Sequence, residues 1–544
     1  MIKNKYVEAY IRQYRSGKIK LNKERIQLIE YLENQVLSRE DVYFDDVQIE
    51  NCIKFAEKWY FPLEDFQKFV VAFIFLFYKN TDRNYFRKFL IMMGRGGGKN
   101  GLITVVTHYL SSELHNISRY NVSIVANSED QAKTSFTEMY DTIEAHEVLE
   151  ELFYKTKVEI KNNATKSIVK YRTSNASTKD GLRDGCVIYD EIHQYETNEV
   201  VRVFSSGLGK VKNPREFFIG TDGYVREGFL DKMKERAQNI LDGKETNDSL
   251  FPFICKLDDE EEVKEKSNWE KANPMFCEPR SDYAEELFYI VQEEYQDLAN
   301  DPSNREEFMT KRMNLPEVDL AKTVAAWEDI LATNRPFPEL EHRTCVGGLD
   351  FASIKDFAAV GILFKDGEDY VWKTHSYVRK GFLDKVNLKA PIREWEEKGL
   401  LTIVDEPVID IKHIVNWFVD MREKYGLTKI IADTFRLDLV KTALEAEGFE
   451  LEYIRNPKAI HSLLAPRVET MFAKHNIIFD DNPLMRWYTN NVYVRIKKDG
   501  NKEYLKKDEF RRKTDGFQAF IHALWKADDV LEEDVDFYLA DISF

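Results

Sequence analysis

The chain has 544 residues, 43% of them hydrophobic and 13% aromatic, and a formal net charge of −17. That composition excludes a disordered or fibrous protein, and the length exceeds what one hydrophobic core organises, so two domains are expected. The acidic balance argues against a uniformly basic nucleic-acid binder, although a basic channel can sit inside an acidic protein.

The opening stretch MIKNKYVEAYIRQYRSGK lacks the apolar centre of a secretory signal. Residues 1–48 carry apolar side chains at helical spacing (Val7, Tyr10, Ile11, Tyr14, then Ile26, Ile29, Leu32), which predicts amphipathic helices forming an outer subdomain. Phe69 to Tyr78 is the longest apolar run; it is too short to cross a bilayer and reads as a buried helix, so no membrane association is expected. Cysteines 52, 186, 255, 277 and 345 form no CxxC pair, which fits a reducing cytosol and speaks against structural zinc.

Gln67 stands at the start of that helix, after Trp59, Tyr60 and Phe61. Its amide offers one donor and one acceptor edge, the pairing needed to read adenine, and the aromatics could pack on the base. A surface glutamine at a helix start is the plainer reading. Phe89 to Met93 then predicts a short buried strand, followed by Gly94-Arg95-Gly96-Gly97-Gly98-Lys99-Asn100 and an apolar helix. Strand, glycine turn, lysine and helix form a phosphate-binding loop. The turn lets backbone N–H groups curl around an anion, the helix N-terminus adds partial positive charge, and the lysine reaches the outer phosphates. Two positions depart from the usual pattern: Met93 stands where glycine is usual, and Asn100 where Ser or Thr would hold Mg²⁺.

Val122 to Ala126 predicts another strand, with Ser128 capping the helix that follows. This strand–helix alternation indicates a parallel α/β sheet. Cys186 to Tyr189 is a further buried strand, and Asp190 and Glu191 emerge at its C-terminal end, where parallel sheets bind ligands. In a phosphate-loop ATPase the first acid handles Mg²⁺ and the second polarises the attacking water; the alternative is a simple helix cap. Lys179 to Arg183 is a polar loop, plainly a surface turn, that could also carry a cation toward phosphates. Glu216 to Ile219 leads into Gly220-Thr221-Asp222-Gly223, and Thr221 is placed to sense a γ-phosphate, although such a turn is ordinary by itself.

Residues 256–315 are charged and helical in pattern, and 316–345, with three prolines, read as a linker. Beyond it, Asp350 lies at a strand end, with Asp356 nearby, Asp433 ends the strand Lys429 to Ala432, and Asp515 opens an amphipathic helix. Three such aspartates can share two divalent cations and hydrolyse a phosphodiester, though each alone is an ordinary cap or turn former. A hairpin about Asp499-Gly500, with Lys497, Lys498, Lys506 and Lys507, offers a basic patch for a DNA backbone or a solvated turn. The tail, 528–544, is acidic and interspersed with apolar residues, a docking segment or disorder.

The order of these motifs, together with Trp269 to Pro274 (WEKANP), Thr310 to Asn314 (TKRMN) and Asp180-Gly181-Leu182 ahead of Asp190-Glu191-Ile192-His193, resembles the large subunit of tailed-bacteriophage terminases over most of the chain. The resemblance implies an α/β chain with a P-loop, RecA-like ATPase domain of parallel sheet at 49–315 and an RNase H-like nuclease domain at 346–527. It implies an ATP-driven motor that packages viral double-stranded DNA into the procapsid and a metal-dependent endonuclease that cuts concatemers. Carried over, Gln67, Arg95, Gly96, Gly97, Gly98, Lys99, Asn100, Asp190 and Thr221 would form the nucleotide site, with Glu191 activating water and Arg95 a candidate arginine finger. Asp350, Asp433 and Asp515 would ligate the nuclease metals, Mg²⁺ or Mn²⁺. The partners implied are a small terminase subunit and the portal, in the host cytoplasm, with a monomer in solution and a pentameric ring on the portal. A helicase-like translocase would need a second ATPase lobe, and a non-hydrolysing scaffold would not need Lys99, Asp190 and Glu191 together.

Overall fold

A computed structural model describes residues 2–173, 183–195, 198–223, 228–246, 248–301, 304–316, 322–353, 356–386, 388, 390–434, 437–497, 500–507 and 511–531. The chain divides into two compact units, Met1–Glu317 and Val318–Phe544. Three sequence features reach outside the described residues: Lys179 to Leu182 of the polar loop, Lys498 and Asp499 of the hairpin turn, and 532–544 of the acidic tail.

The first unit is built on an eight-stranded sheet. Its strands in chain order are Lys88–Met92 (β1), Asn121–Ala126 (β2), Phe153–Lys155 (β3), Ile160–Asn162 (β4), Ile168–Thr173 (β5), Asp184–Tyr189 (β6), Arg215–Gly220 (β7) and Leu250–Ile254 (β8). In space they run β8-β1-β7-β6-β2-β5-β4-β3. The six from β8 to β5 are parallel, and β4 and β3 add an antiparallel edge. β6, β7 and β8 are buried along their whole lengths, as strands of a parallel sheet covered on both faces should be. β7 lies between β1 and β6, with Met92 opposite Gly220 and Tyr189 opposite Phe218. This register sets the residues after β1, β7 and β6 side by side: the glycine turn, Thr221, and Asp190 with Glu191.

The N-terminal helices differ from the outer subdomain expected of them. Lys5–Arg15 (α1) buries Val7, Tyr10 and Ile11 against Asp65–Ile74 (α2), with the Tyr10 and Phe69 ring centroids 4.5 Å apart. Arg25, 1% exposed, gives hydrogen bonds to the side chain of Asn22 and to the carbonyls of Glu270 and Lys271. The apolar stripe expected to build an outer subdomain is therefore core, because α2 is apolar nearly all round and needs cover on this side.

In the second unit the strands are Thr344–Asp350 (β9), Ala358–Asp366 (β10), Asp369–Arg379 (β11), Leu401–Val404 (β12), Gly426–Asp433 (β13), Glu450–Ile454 (β14) and Ile477–Ile478 (β15). They form one sheet in the order β12-β11-β10-β9-β13-β14, with β15 beside β11. β9, β10 and β11 are antiparallel neighbours, while β13 and β14 run parallel to β9. Three antiparallel strands extended by two parallel ones is the RNase H-like arrangement. The stretch expected to be a linker is largely part of this unit: Val324 and Ile330 are buried in its core and Arg335 forms a two-pronged ion pair with Asp369. Its prolines break periodicity without freeing the chain. Val492–Ile496 (β16) and Lys502–Lys506 (β17) form the expected hairpin. Part of its positive charge is neutralised internally, by Arg495 with Glu503, Lys502 with Glu469, and Lys506 with Asp356.

Candidate active sites

The glycine turn leads from β1 into Lys99–Ser111 (α3). Gly96 and Gly98 have φ of 87° and 76°, a left-handed backbone that L side chains enter only with strain, and that turns successive amides toward one centre. Lys99 is buried, and among the described residues its hydrogen bond is a long one, 3.5 Å to the Met93 carbonyl. Burial pulls its pKa below the ordinary lysine value, and Glu191 and Asp190 oppose that. A buried ammonium so weakly satisfied is a site that asks for an anion.

Asn100 Nδ2 donates to Asp190 Oδ2 at 3.2 Å. Asp190 is pushed up to about 6 by burial and by the charge of Glu191, and remains an acceptor at neutral pH, which fixes the amide nitrogen of Asn100 on that side. The amide oxygen is then the group that can stand in for the missing hydroxyl. Glu191 goes the other way. Burial would raise it, but His193, Lys99 and Lys311 overcome that and hold it at about 2. Its backbone lies in the left-handed region, φ 50°, at a cost of about 1–3 kcal/mol for a residue with a side chain. Two adjacent carboxylates with their affinities for protons driven apart are what a metal-handling acid and an ionised base require.

Thr221 is buried, donating to the Asp222 carbonyl at 3.1 Å and accepting from Lys311 Nζ at 3.2 Å. Gln67 is fully buried against the loop: its Oε1 accepts from the Glu64 amide at 2.9 Å, closing the helix N-terminus, and its Nε2 donates to the Gly98 carbonyl at 3.3 Å. Both edges of its amide are thus committed to the helix cap and the loop. Arg95 is exposed, with its guanidinium 3.9 Å from Glu307.

Residues 256–315, which gave no chemistry from pattern alone, form a collar round the turn. The Gly94 amide donates to Ala272 O at 2.9 Å, Arg95 N to Lys311 O at 2.6 Å, and Tyr283 OH to Gly96 O at 3.0 Å. Tyr283 belongs to Asp282–Asp297 (α4) and Lys311 to Arg305–Lys311 (α5). Asn314 accepts from the Asp222 amide and donates to the Cys255 carbonyl, 2.6 Å in each case, tying the end of β7 to the segment after β8. Sequence reasoning gave His193, Tyr283, Lys311 and Asn314 no role. The available clue was that WEKANP and TKRMN belong to the pattern that resembles terminase large subunits, which marked the segments without giving these side chains a role.

In the second unit, Leu349 of β9 pairs with Ala432 of β13, so Asp350 and Asp433 leave neighbouring parallel strands at the same edge. Asp515–Trp525 (α6) crosses β9 closely. His522 Nδ1 lies 2.8 Å from the Leu349 carbonyl, and a Cβ on Gly348 would stand 2.1 Å from the Ala519 carbonyl oxygen. Asp350 is held well above the carboxylate range by burial and then by the negative charges of Asp515 and Asp433. Asp515 rises to about 8 through burial and Asp356, against the pull of Lys506 and Lys513. Its Oδ2 is buried without a hydrogen-bond partner among the described residues. Asp356 is paired with Lys506 and, at 3.1 Å, with Lys513. The three aspartates therefore share one electrostatic centre. Even so, no group of three His, Cys, Asp or Glu among the described residues is close enough to hold a metal ion by itself. No described helix is long and apolar enough to cross a membrane.

The chain matches two family models, the terminase large subunit ATPase domain over 65–239 and the terminase large subunit endonuclease domain over 244–530. The second match begins before β8 and so takes in the collar, which folds with the first unit. The terminase large subunit of Lactococcus phage p2 is 24% identical over 95% of each chain. That of Enterobacteria phage HK97 is 20% identical over 82% of this chain and 88% of its own. The crystal structure of the HK97 large terminase superposes with a TM-score of 0.48 at 18% identity, covering 88% of this chain and all of that one. With an ATPase-domain match on the unit that holds the phosphate loop, and an endonuclease-domain match running through the unit that holds the acidic cluster, the chain belongs to the terminase large subunit family.

Proposed function

We propose that this chain hydrolyses ATP to drive viral double-stranded DNA into a procapsid and cuts the DNA at its nuclease centre. The observation that carries the first half is the meeting of Lys99, the Asn100–Asp190 pair and Glu191 at the adjoining strand ends of the first unit. Lys99 and the amides of the glycine turn bind the phosphates. Asn100 and Asp190 fit a magnesium ion, whose charge would offset that of the phosphates. Glu191, ionised and strained, orients the attacking water and takes its proton. Thr221 lies between these groups and is placed to register the state of the phosphate. Gln67 acts through Gly98, setting the loop, before any contact with a base. For Arg95 the exposed position favours a role in contact with another subunit over one in its own site.

In the nuclease unit, Asp350, Asp433 and Asp515 fit divalent cations, Mg²⁺ or Mn²⁺. The mutual repulsion recorded by Asp350 and Asp515 and the orphaned Asp515 Oδ2 mark the demand for positive charge. Such ions would be held by Asp350, Asp433 and Asp515 and would supply charge to polarise the scissile phosphate. Lys506, which the surrounding acids keep protonated despite its burial, is paired with Asp356 beside this centre and would offer its charge to a phosphodiester. DNA and the packaging apparatus of a phage are the partners; within them we propose a small terminase subunit, the portal, and a ring of copies on the portal, pentameric, in the host cytoplasm.

The test separates the two activities. Lys99→Ala should abolish ATP hydrolysis and leave Mn²⁺-dependent plasmid cutting intact, and Asp350→Ala should do the reverse. Cutting that survives Asp350→Ala removes the nuclease assignment, and hydrolysis that survives Lys99→Ala removes the nucleotide site.

A further inference from the structure

Between Glu191 and the end of β7 lies a chain of polar contacts that phosphate binding does not require. Lys311 Nζ is 3.0 Å from His193 Nε2, 3.2 Å from Thr221 Oγ1 and 3.0 Å from the Asp222 carbonyl. His193 Nδ1 is 3.1 Å from Glu191 Oε2, an ion-pair contact, and is buried without a hydrogen-bond partner among the described residues. The ring has little room to move, since a Cβ on Gly223 would come within 2.8 Å of His193 Cβ.

An ammonium group has only protons to offer. His193 Nε2 must therefore accept from Lys311, and in the neutral ring the single proton is left on Nδ1, the nitrogen that stands 3.1 Å from Glu191 Oε2 and can turn that proton to it. The opposite tautomer would set a lone pair against the carboxylate and a ring N–H against the ammonium. We propose that Lys311 is a positioning residue that fixes the tautomer of His193, and that His193 in turn holds Glu191 in its strained, water-orienting conformation. The same ammonium grips Thr221 and Asp222, so the base is set only while α5 and the end of β7 keep their present relation. This rests on the reading of Glu191 as the group that activates water.

The left-handed backbone of Glu191 is the second support. A strained residue persists only where its surroundings over-determine it, and among the described residues His193 makes the ion-pair contact to its carboxylate. The arrangement is an orienting group behind a base, the logic by which an aspartate sets a histidine in acyl-transfer enzymes, with lysine, histidine and glutamate as the members.

The experiment is steady-state ATP hydrolysis by the full chain. Lys311→Met should lower kcat by about tenfold or more while KM for ATP changes by less than about twofold, and Lys311→Arg should recover part of the loss. His193→Asn keeps an N–H donor where Nδ1–H stands but has no tautomer to set. It should hold kcat within about fivefold of wild type, where His193→Leu loses tenfold or more. Adding Lys311→Met to His193→Asn should then cost less than about threefold, because the coupling has been removed. Equal losses from Lys311→Met in both backgrounds, or a loss confined to KM, overturn the proposal. If Lys311→Met does not fold, the comparison of His193→Asn with His193→Leu decides alone: equal losses overturn it. Glu191→Gln is the control for the underlying reading. Hydrolysis that survives Glu191→Gln refutes the base assignment, whereas loss with Glu191→Gln alongside a wild-type kcat for Lys311→Met refutes only the relay.

Discussion

Substituting Gly348 by alanine tests how the nuclease centre is assembled. The added Cβ would lie 2.1 Å from the Ala519 carbonyl oxygen and 3.0 Å from Ala523 Cβ. An ordinary carbon–oxygen contact needs roughly 3.2 Å or more, so α6 and β9 must separate by about 1 Å where both are buried, which places the change among overpacking substitutions costing about 1–3 kcal/mol or more. Neither partner can yield cheaply, because one contact is backbone of α6 and β9 is paired on both sides. α6 carries Asp515 and β9 carries Asp350, so the displacement acts on the spacing of the acids. The expected result is a lowered melting temperature together with loss of Mn²⁺-dependent plasmid cutting of about tenfold or more, since an ångström of misplacement at a reacting centre can cost a hundredfold. ATP hydrolysis, measured on the same preparation, should stay near wild type. Wild-type cutting with an unchanged melting temperature would refute the close packing of α6 on β9 as the device that positions Asp515.

Two further outcomes follow from groups already described and from the core of the first unit. His108 and His115 are buried, and burial lowers both pKa values to about 3. An unfolded chain takes up protons on these rings below about pH 6.5 while the native one does not, so stability is full above 6.5 and falls as the pH drops toward 3; at pH 5.5 each ring contributes a loss of about 1.4 kcal/mol. Urea melts at pH 7.5 and 5.5 should show this loss, and His115→Gln should remove its share of the slope; an unchanged slope refutes the assignment. In the second unit, Mg²⁺ or Mn²⁺ should raise the melting temperature of the wild-type chain, because cations offset the repulsion at Asp350 and Asp515. Asp515→Asn should melt higher than wild type without metal and gain less from it, and an equal gain in both would refute the acids as the cation site.

Much of this was legible in the sequence because it obeys local rules. β1, β6 and β7 are short apolar runs ended by Gly, Asp-Glu and Gly-Thr-Asp, so both the strands and the chemistry at their tips could be read. The aspartates of the second unit were visible for the same reason. What could not be read was contact across long separations. Lys311 reaches His193 and Thr221, and Ala272 reaches Gly94, through hydrogen bonds that leave no periodicity behind. Gln67 shows the limit of reading a residue by its chemistry alone: an amide able to pair with adenine is here closed on its own helix and on Gly98. The prolines of 316–345 suggested a free linker, yet Val324 and Ile330 are core residues, since proline stops a helix without forbidding burial of the chain on either side.

The embedding of the first helices gives the chain's beginning an unexpected reach. Arg25 is held by the carbonyls of Glu270 and Lys271, and the next carbonyl along, that of Ala272, receives the Gly94 amide at the mouth of the phosphate loop. The peptide unit gripped by an N-terminal guanidinium thus adjoins the one that holds the mouth of the phosphate loop. A cut or a fused tag that loosens the first thirty residues would be felt as a change in the grip on phosphate, and the N-terminus serves as a brace for the motor, not as packaging around it.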